Sequence, residues 1–116
     1  MHGEAFNFGP RGEQNRTVVE LLSDLFNHSD IGDAEVAFTV TENIPFKESG
    51  LLKLNCDKAL FYLKWEALLE YKDVVKYTAG WYSHYFSNSD NLLEFTVNQI
   101  KDYQNLASSK GYLWTL

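Results

Sequence analysis

The fold prediction starts from residues 4–40, which read EAFNFGPRGEQNRTVVELLSDLFNHSDIGDAEVAFTV. Around Asn7 the side chains alternate apolar and polar, which predicts a β-strand that ends at the following Gly-Pro pair. Thr17 and Glu20 have the spacing of a capping box, and the apolar residues after them recur every three or four positions, which predicts a helix. Residues 35–40 alternate again and predict a second strand. A strand, a helix and a strand in this order predict a parallel βαβ unit with a right-handed crossover.

Three further helices are predicted after this unit. The first spans about Cys56–Tyr62 with Asn55 as its cap, and the longest spans about Leu69–Phe86. The third opens on a second capping-box spacing, at Thr96 and Gln99. One face of the longest helix is predicted to belong to the core: Val74, Thr78, Trp81, Tyr82 and Tyr85. The expected fold class is therefore α/β, with α+β as the alternative: a βαβ unit followed by three or more helices.

Charge and composition exclude several classes of protein. The 116 residues carry 10 Lys and Arg against 16 Asp and Glu, a formal net charge of −6, and Arg11 and Arg16 are the only arginines. Such a chain is expected to bind no nucleic acid, because that affinity depends on neutralising phosphates. No stretch of about 18 apolar residues predicts a membrane span, and no signal peptide is visible at the start. The lone Cys56 rules out a disulfide framework and fits a reducing, cytoplasmic location.

The sequence contains no complete catalytic motif. Its 7 glycines do not form the Gly-x-Gly-x-x-Gly turn of dinucleotide-binding proteins, and it has no P-loop, no Gly-x-Ser-x-Gly and no His-Glu-x-x-His. Cys56 is interpreted as a small packing residue, because no histidine is placed to act as its base. The Trp81, Tyr82 and Tyr85 rings could stack on a base, but their helical spacing favours a place in the core.

Several motifs, taken in their order along the chain, resemble one family. They are Gly3–Pro10 (GEAFNFGP), Arg16–Glu20 (RTVVE), Glu48–Ala59 (ESGLLKLNCDKA), Leu63–Trp65 (LKW), Trp81-Tyr82, Phe95-Thr96, Gln99-Ile100 and Tyr103. Together they resemble the C-terminal part of CDP-glucose 4,6-dehydratases, which belong to the extended short-chain dehydrogenase/reductases with the nucleotide-sugar epimerases. The resemblance runs from residue 3 to about residue 105.

The resemblance implies a division of labour. In that family an N-terminal Rossmann half binds NAD and carries a catalytic Tyr-x-x-x-Lys pair, and the smaller C-terminal part helps to bind the nucleotide sugar. The Rossmann half is absent from these 116 residues, and no tyrosine in them is followed by a lysine four positions later. The family is a lyase, but this chain is expected to hold no cofactor and no catalytic residue of its own. The resemblance makes residues 1–107 the nucleotide-sugar-binding domain and residues 108–116 a tail.

The resemblance also implies four substrate-binding residues. Asn7 lies in the segment whose asparagine, in related dehydratases and epimerases, is near the sugar nucleotide. Glu48 matches an acidic residue expected to face the nucleotide, and Lys47 stands where the family usually has histidine. Lys47 and Arg16 could meet the pyrophosphate, since cations pair with phosphate. Plainer interpretations stay open: Asn7 satisfied by neighbouring backbone, Glu48 as a solvated loop carboxylate, and Arg16 as a surface charge.

Two classes of function follow. The first is the substrate-binding segment of a CDP-glucose 4,6-dehydratase-like protein, inactive as an isolated chain, with a nucleotide sugar, CDP-glucose above all, and a Rossmann half as its partners. The second is a non-catalytic interaction or structural domain that retains the fold. Aromatic residues make up 16% of the chain, more rings than a small core hides easily, so a homo-oligomer formed through exposed apolar surface is also expected.

Overall fold

α-Helices form the regular structure of the residues that the computed structural model describes, which are 2–11, 15–29, 38–40, 54–87 and 89–115. Within these ranges the helices are α1 (Val18–Asn27), α2 (Asp57–Leu63), α3 (Tyr71–Ser87) and α4 (Leu92–Ser109). Short 3-10 turns follow α3 and α4, at Ser89–Asn91 and Leu113–Thr115. No helix in the described ranges combines the length and the hydropathy needed to cross a bilayer.

The predicted α/β fold class and its βαβ unit are wrong, because the described residues contain helices and no strand. Residues 4–8 are irregular, and so are residues 38–40 of the second predicted strand; residues 35–37 lie outside the described residues. A strand exists only where a neighbouring strand accepts and donates its backbone hydrogen bonds. The alternating segment instead packs its side chains near α2: the Lys58 ammonium lies 4.9 Å from the centre of the Phe6 ring.

The capping box that predicts α1 is confirmed. The Glu20 backbone N–H donates to the Thr17 hydroxyl at 3.2 Å, and the Thr17 backbone N–H donates to the Glu20 carboxylate at 2.8 Å. These hydrogen bonds hold the pKa of Glu20 below its ordinary value. The helix that follows packs on α3 through its half-buried residues Leu22, Leu25 and Phe26.

Helix α2 begins at Asp57, one residue later than predicted. The Asn55 side-chain oxygen accepts the Asp57 backbone N–H at 2.9 Å, so Asn55 does satisfy a free amide at this helix start, as the sequence predicts. The helix ends at Leu63 and is followed by its cap residue Lys64, whose φ of 54° is in the left-handed region. This turn sends the chain back so that the Trp65 N–H bonds the Ala59 carbonyl at 3.3 Å.

The long helix is present, but its predicted buried face is wrong. Helix α3 buries Val75 and Ala79, whereas Val74, Tyr82 and Tyr85 are each close to half exposed. Val75 and Ala79 each follow a residue of the predicted face, Val74 and Thr78, by one position. The buried side of α3 is therefore rotated from the predicted one, and α3 packs against α1.

The second capping box is also wrong, since α4 begins at Leu92 and runs through the predicted start. Thr96 and Gln99, the two polar residues of the predicted capping box, instead join α4 to α3. The Trp81 indole N–H donates to the Thr96 hydroxyl at 2.9 Å, and the Gln99 side-chain amide donates to the Tyr77 carbonyl at 2.9 Å. These bonds hold the two helices side by side.

Helix α4 ends in a Schellman motif. Gly111, at φ 77°, supplies the left-handed residue, and the Tyr112 N–H bonds the Ala107 carbonyl at 3.1 Å. The predicted tail then packs back on α4, where the Trp114 ring stacks on Tyr103 with centroids 6.0 Å apart. The buried apolar residues of the described chain are few and mostly small: Ala59, Leu68, Val75, Ala79 and Ala107.

Candidate functional site

An open cleft of about 580 Å³ lies beside the start of α2 in the described part of the chain. Three segments that are distant in sequence line it: Gly9–Arg11, Leu54–Asp57 with Leu60, and Trp65–Ala67. The first segment belongs to the N-terminal stretch, the second leads into α2, and the third follows its left-handed end. The short α2 helix therefore positions two of the three walls.

Side-chain contacts hold the N-terminal stretch against α2. The Asn7 amide donates to the Asn55 carbonyl at 3.4 Å, and the Phe8 ring meets the Trp65 ring edge to face with centroids 5.0 Å apart. The Lys58 ammonium lies 2.6 Å from the Glu4 carboxylate. The first wall of the cleft is thus fixed relative to the other two by an amide bond, an aromatic pair and an ion pair.

The polar groups of the cleft are of both signs. The Arg11 guanidinium lies 3.7 Å from the Glu66 carboxylate, and both side chains are more than half exposed. At the start of α2 the Asn55 amide donates to the Asp57 carboxylate at 3.1 Å. An exposed Arg–Glu pair contributes little to stability, so the guanidinium can exchange this partner for an anion at low cost. The carboxylates of Asp57 and Glu66 can accept hydrogen bonds from hydroxyl groups.

Apolar groups complete the lining. Trp65, Leu54 and Leu60 present carbon surface to the cleft. Cys56 is half-buried in the same wall, and its thiol donates to the Leu54 carbonyl at 3.8 Å. The combination of an indole, two leucines, a guanidinium and two carboxylates suits a ligand that has both a ring and charged or hydroxylated groups.

The structure describes two of the four predicted substrate-binding residues, Asn7 and Arg16, and neither is among the residues that line the cleft. Asn7 is exposed and ties the N-terminal stretch to Asn55. Arg16 lies at the start of α1, with its guanidinium 3.8 Å from Glu20 and 4.8 Å from the Tyr71 ring centre, and does not line the cleft. Lys47 and Glu48 lie outside the described residues.

Among the cleft residues that the sequence reasoning missed are Arg11, Asp57 and Trp65. A signal existed for each, because Asp57 and Trp65 lie inside the motifs that carry the resemblance and Arg11 directly follows the first of them. What the sequence did not indicate is that these motifs meet in space.

A second, shallower hollow lies between α3 and α4. It has a volume of about 260 Å³ and is lined by Tyr77, Thr78, Trp81, Tyr82 and Gln99. The Trp81 and Tyr85 rings stack with an interplanar angle of 5° and centroids 5.6 Å apart. The aromatic residues predicted to be core therefore form a ring cluster at the surface.

No group of three or more metal-ligating side chains occurs among the residues that the structure describes. Comparison with protein-family models, with curated proteins and with solved structures finds no match. The family resemblance therefore rests on the motifs themselves, and the site has to be argued from its own chemistry.

Proposed function

We propose that the chain is the substrate-binding segment of a CDP-glucose 4,6-dehydratase-like protein and that the α2 cleft holds part of the nucleotide sugar. One observation carries this proposal. The motif segments Gly3–Pro10, Glu48–Ala59 and Leu63–Trp65, which carry the resemblance, all contribute residues to the same cleft. About 40 residues separate the first of these segments from the second, and the fold brings them to one place where a single ligand can contact all three.

The cleft offers a partner for each part of a nucleotide sugar. Arg11 is placed to pair with the diphosphate, where a planar guanidinium can form two parallel hydrogen bonds. The carboxylates of Asp57 and Glu66 accept hydrogen bonds from ribose or sugar hydroxyls. Trp65 supplies an apolar surface for a ring. Phosphate binding breaks the Arg11–Glu66 pair, which frees Glu66 to accept a hydroxyl.

Binding and orientation are the whole contribution proposed for this chain. The resembled family removes water from the sugar with the help of NAD, which takes a hydride and returns it. The described residues contain no strand–glycine turn–helix unit of the kind that holds a dinucleotide, and we propose no catalytic step for them. We place the protein in the cytoplasm, in keeping with its single cysteine, which is half-buried and unpaired.

The two arginines provide a matched test. Both guanidinium groups are exposed and paired with a glutamate at nearly equal distances, 3.7 Å for Arg11 and 3.8 Å for Arg16, but only Arg11 lines the cleft. We expect CDP-glucose to bind the chain in titration calorimetry and Arg11→Gln to weaken it roughly tenfold, about 1.4 kcal/mol. Arg16→Gln should leave the affinity unchanged.

The affinities of three ligands, CDP-glucose, CDP and free glucose, then show which part of the nucleotide sugar the cleft binds. CDP should retain most of the affinity, free glucose should show none, and Trp65→Leu should weaken CDP and CDP-glucose alike. If CDP-glucose does not bind, or if the two arginine variants weaken it equally, the cleft is not the proposed site.

The second function, a non-catalytic interaction domain, has an observation of its own in its favour. Large apolar residues remain exposed on α3 and α4, as in a protein that presents a surface to a partner. Retained binding of CDP-glucose separates the two hypotheses, because an interaction domain that lost the family's chemistry has no need of the ligand.

A further inference from the structure

Six apolar side chains form an exposed surface on the last two helices, which we call the α3–α4 face. On α3 they are Tyr82, Tyr85 and Phe86, and on α4 they are Leu93, Val97 and Ile100. The most exposed are Leu93 at 79% and Phe86 at 68%. Side chains of this size are normally removed from water when a partner is available.

The two halves of the face lie on the same side of the helix pair. The Trp81 indole donates to the Thr96 hydroxyl at 2.9 Å, so Trp81 and Thr96 form the seam between the helices. Leu93 and Ile100 lie three residues before and four residues after Thr96 and share its side of α4. Tyr85 stacks on Trp81 from the α3 side. The face therefore continues across the seam.

The face carries no formal charge at its centre. Residues 77–86 read YTAGWYSHYF and residues 95–100 read FTVNQI, without Asp, Glu, Lys or Arg in either run. This depletion of charge together with enrichment in aromatic rings is the composition of an interface centre. Next to the α4 stripe the charged residues Glu94 and Lys101 are exposed.

The exposed area matches the requirement of a small dimer. With about 150–250 Å² for a complete aromatic side chain, the six residues expose on the order of 600 Å² at their fractional exposures. Two copies meeting through the same face would bury about 1,200 Å², which is the lower end of the range for specific interfaces.

We propose that the α3–α4 face binds the same face of a second copy of this chain in a two-fold symmetric dimer. In this dimer the two-fold axis runs across the α4 helices, so that they lie antiparallel with Leu93 near Ile100 of the second copy. Glu94 of each copy then approaches Lys101 of the other, because these residues lie seven positions apart and next to the two ends of the same stripe. The two ends of the face are thus of opposite charge and complementary to each other.

Sedimentation velocity over a concentration series tests the dimer. The wild-type chain should pass from monomer to dimer, and Leu93→Glu should weaken the dimer roughly tenfold or more by burying a charge. The matched control is Leu113→Glu, since Leu113 is 80% exposed but lies outside the face. Circular dichroism checks that each variant keeps its helices.

A charge swap tests the two-fold geometry separately. Glu94→Lys and Lys101→Glu should each weaken the dimer, and the double variant should recover it, because the swap restores both symmetric pairs. A chain that stays monomeric at every concentration overturns the proposal. So does a dimer that loses the same affinity in Leu93→Glu and Leu113→Glu, or one that ignores the charge reversals. None of these outcomes depends on whether CDP-glucose binds the α2 cleft.

Discussion

Lys64 is the one residue other than glycine with a positive φ in the described ranges, and it ends the helix that builds the cleft. At φ 54° its Cβ is close to the carbonyl oxygen, a strain that glycine does not have. Lys64→Gly should therefore stabilise the protein by about 0.5–1 kcal/mol, after the entropy that glycine adds to the unfolded chain.

Urea unfolding measures this effect, with Lys64→Ala as the control. Alanine removes the ammonium, which lies 5.4 Å from the Phe61 ring centre, but keeps the Cβ and the strain. A glycine variant that is no more stable than the alanine variant would show that the left-handed turn is not strained.

Tyr71 gives the protein a predictable sensitivity to alkali. Burial, reinforced by the hydrogen bond from its hydroxyl to Asp24 at 2.8 Å, raises the pKa of Tyr71 from 10.0 to about 12. The folded state holds this proton more tightly than the unfolded state. The stabilisation is therefore complete below pH 10 and is lost as the pH rises from 10 to about 12.

Stability measured between pH 9 and 12 in wild type and Tyr71→Phe checks this sign. We expect the variant to be less stable at pH 9 by about 1 kcal/mol, because it lacks the hydrogen bond to Asp24. The difference should shrink toward pH 12. Burial also raises the pKa of Tyr77 and of Tyr103, so only the difference between the two proteins isolates Tyr71.

At the scale of single residues, the sequence predicts best those hydrogen bonds whose two partners are close neighbours along the chain. The Thr17 and Glu20 box forms as predicted because both partners lie within one turn of the helix. The resemblance implies that Asn7 faces a ligand, which stays a prediction, and in the structure its amide donates to the carbonyl of Asn55, 48 residues away. No spacing around Asn7 indicates that partner.

At the scale of elements, the bond between the Trp81 indole and the Thr96 hydroxyl joins α3 to α4. Thr96→Val keeps the shape of the side chain but removes the acceptor and leaves a half-buried indole N–H unpaired. We expect a loss of about 1–2 kcal/mol in the free energy of unfolding. Thr96→Ser keeps the hydroxyl and is the matched control. Equal losses in the two variants would assign the effect to packing and not to the hydrogen bond.

The same pair of helices shows why one capping-box spacing was a correct signal and the other was not. Thr96 and Gln99 have the residue types and the spacing of a box, but they lie inside α4 and use their polar groups on α3. The Thr96 hydroxyl also donates to the Leu92 carbonyl at 2.8 Å, a bond available only inside a helix. Local spacing cannot distinguish a cap from a contact between helices.

Strand prediction failed for a related reason. Alternation around Asn7 satisfies the local requirement of a strand, but hydrogen bonding to a neighbouring strand is a property of the whole fold. In the described residues the segment instead contacts Lys58 of α2 through Phe6, and Trp65, which follows α2, through Phe8. The convergence of the motif segments on one cleft depends on these same contacts, so it could not be predicted either.

At the scale of the whole molecule, few large side chains are buried. Val75 is the largest fully buried residue of the described part. The radius of gyration of the protein is 17.1 Å, which exceeds the roughly 13 Å of a compact domain of this length. Apolar surface that a compact domain would enclose is exposed instead. We therefore expect the stability of the folded chain to depend on what covers the α3–α4 face.

This dependence makes the melting temperature a function of protein concentration. If folded copies associate and unfolded copies do not, mass action stabilises the fold as concentration increases. We expect the Tm of wild type and of Leu113→Glu to rise with protein concentration, and the rise in Leu93→Glu to need roughly tenfold higher concentration or more. Added salt should enlarge the rise, because the −6 charge of each copy repels the other and is screened beyond about 8 Å at physiological ionic strength. Salt also screens the exposed Glu94–Lys101 pairs, which contribute at most about 1 kcal/mol each. A wild-type Tm that is independent of both concentration and salt would mean that the face stays uncovered in the folded protein.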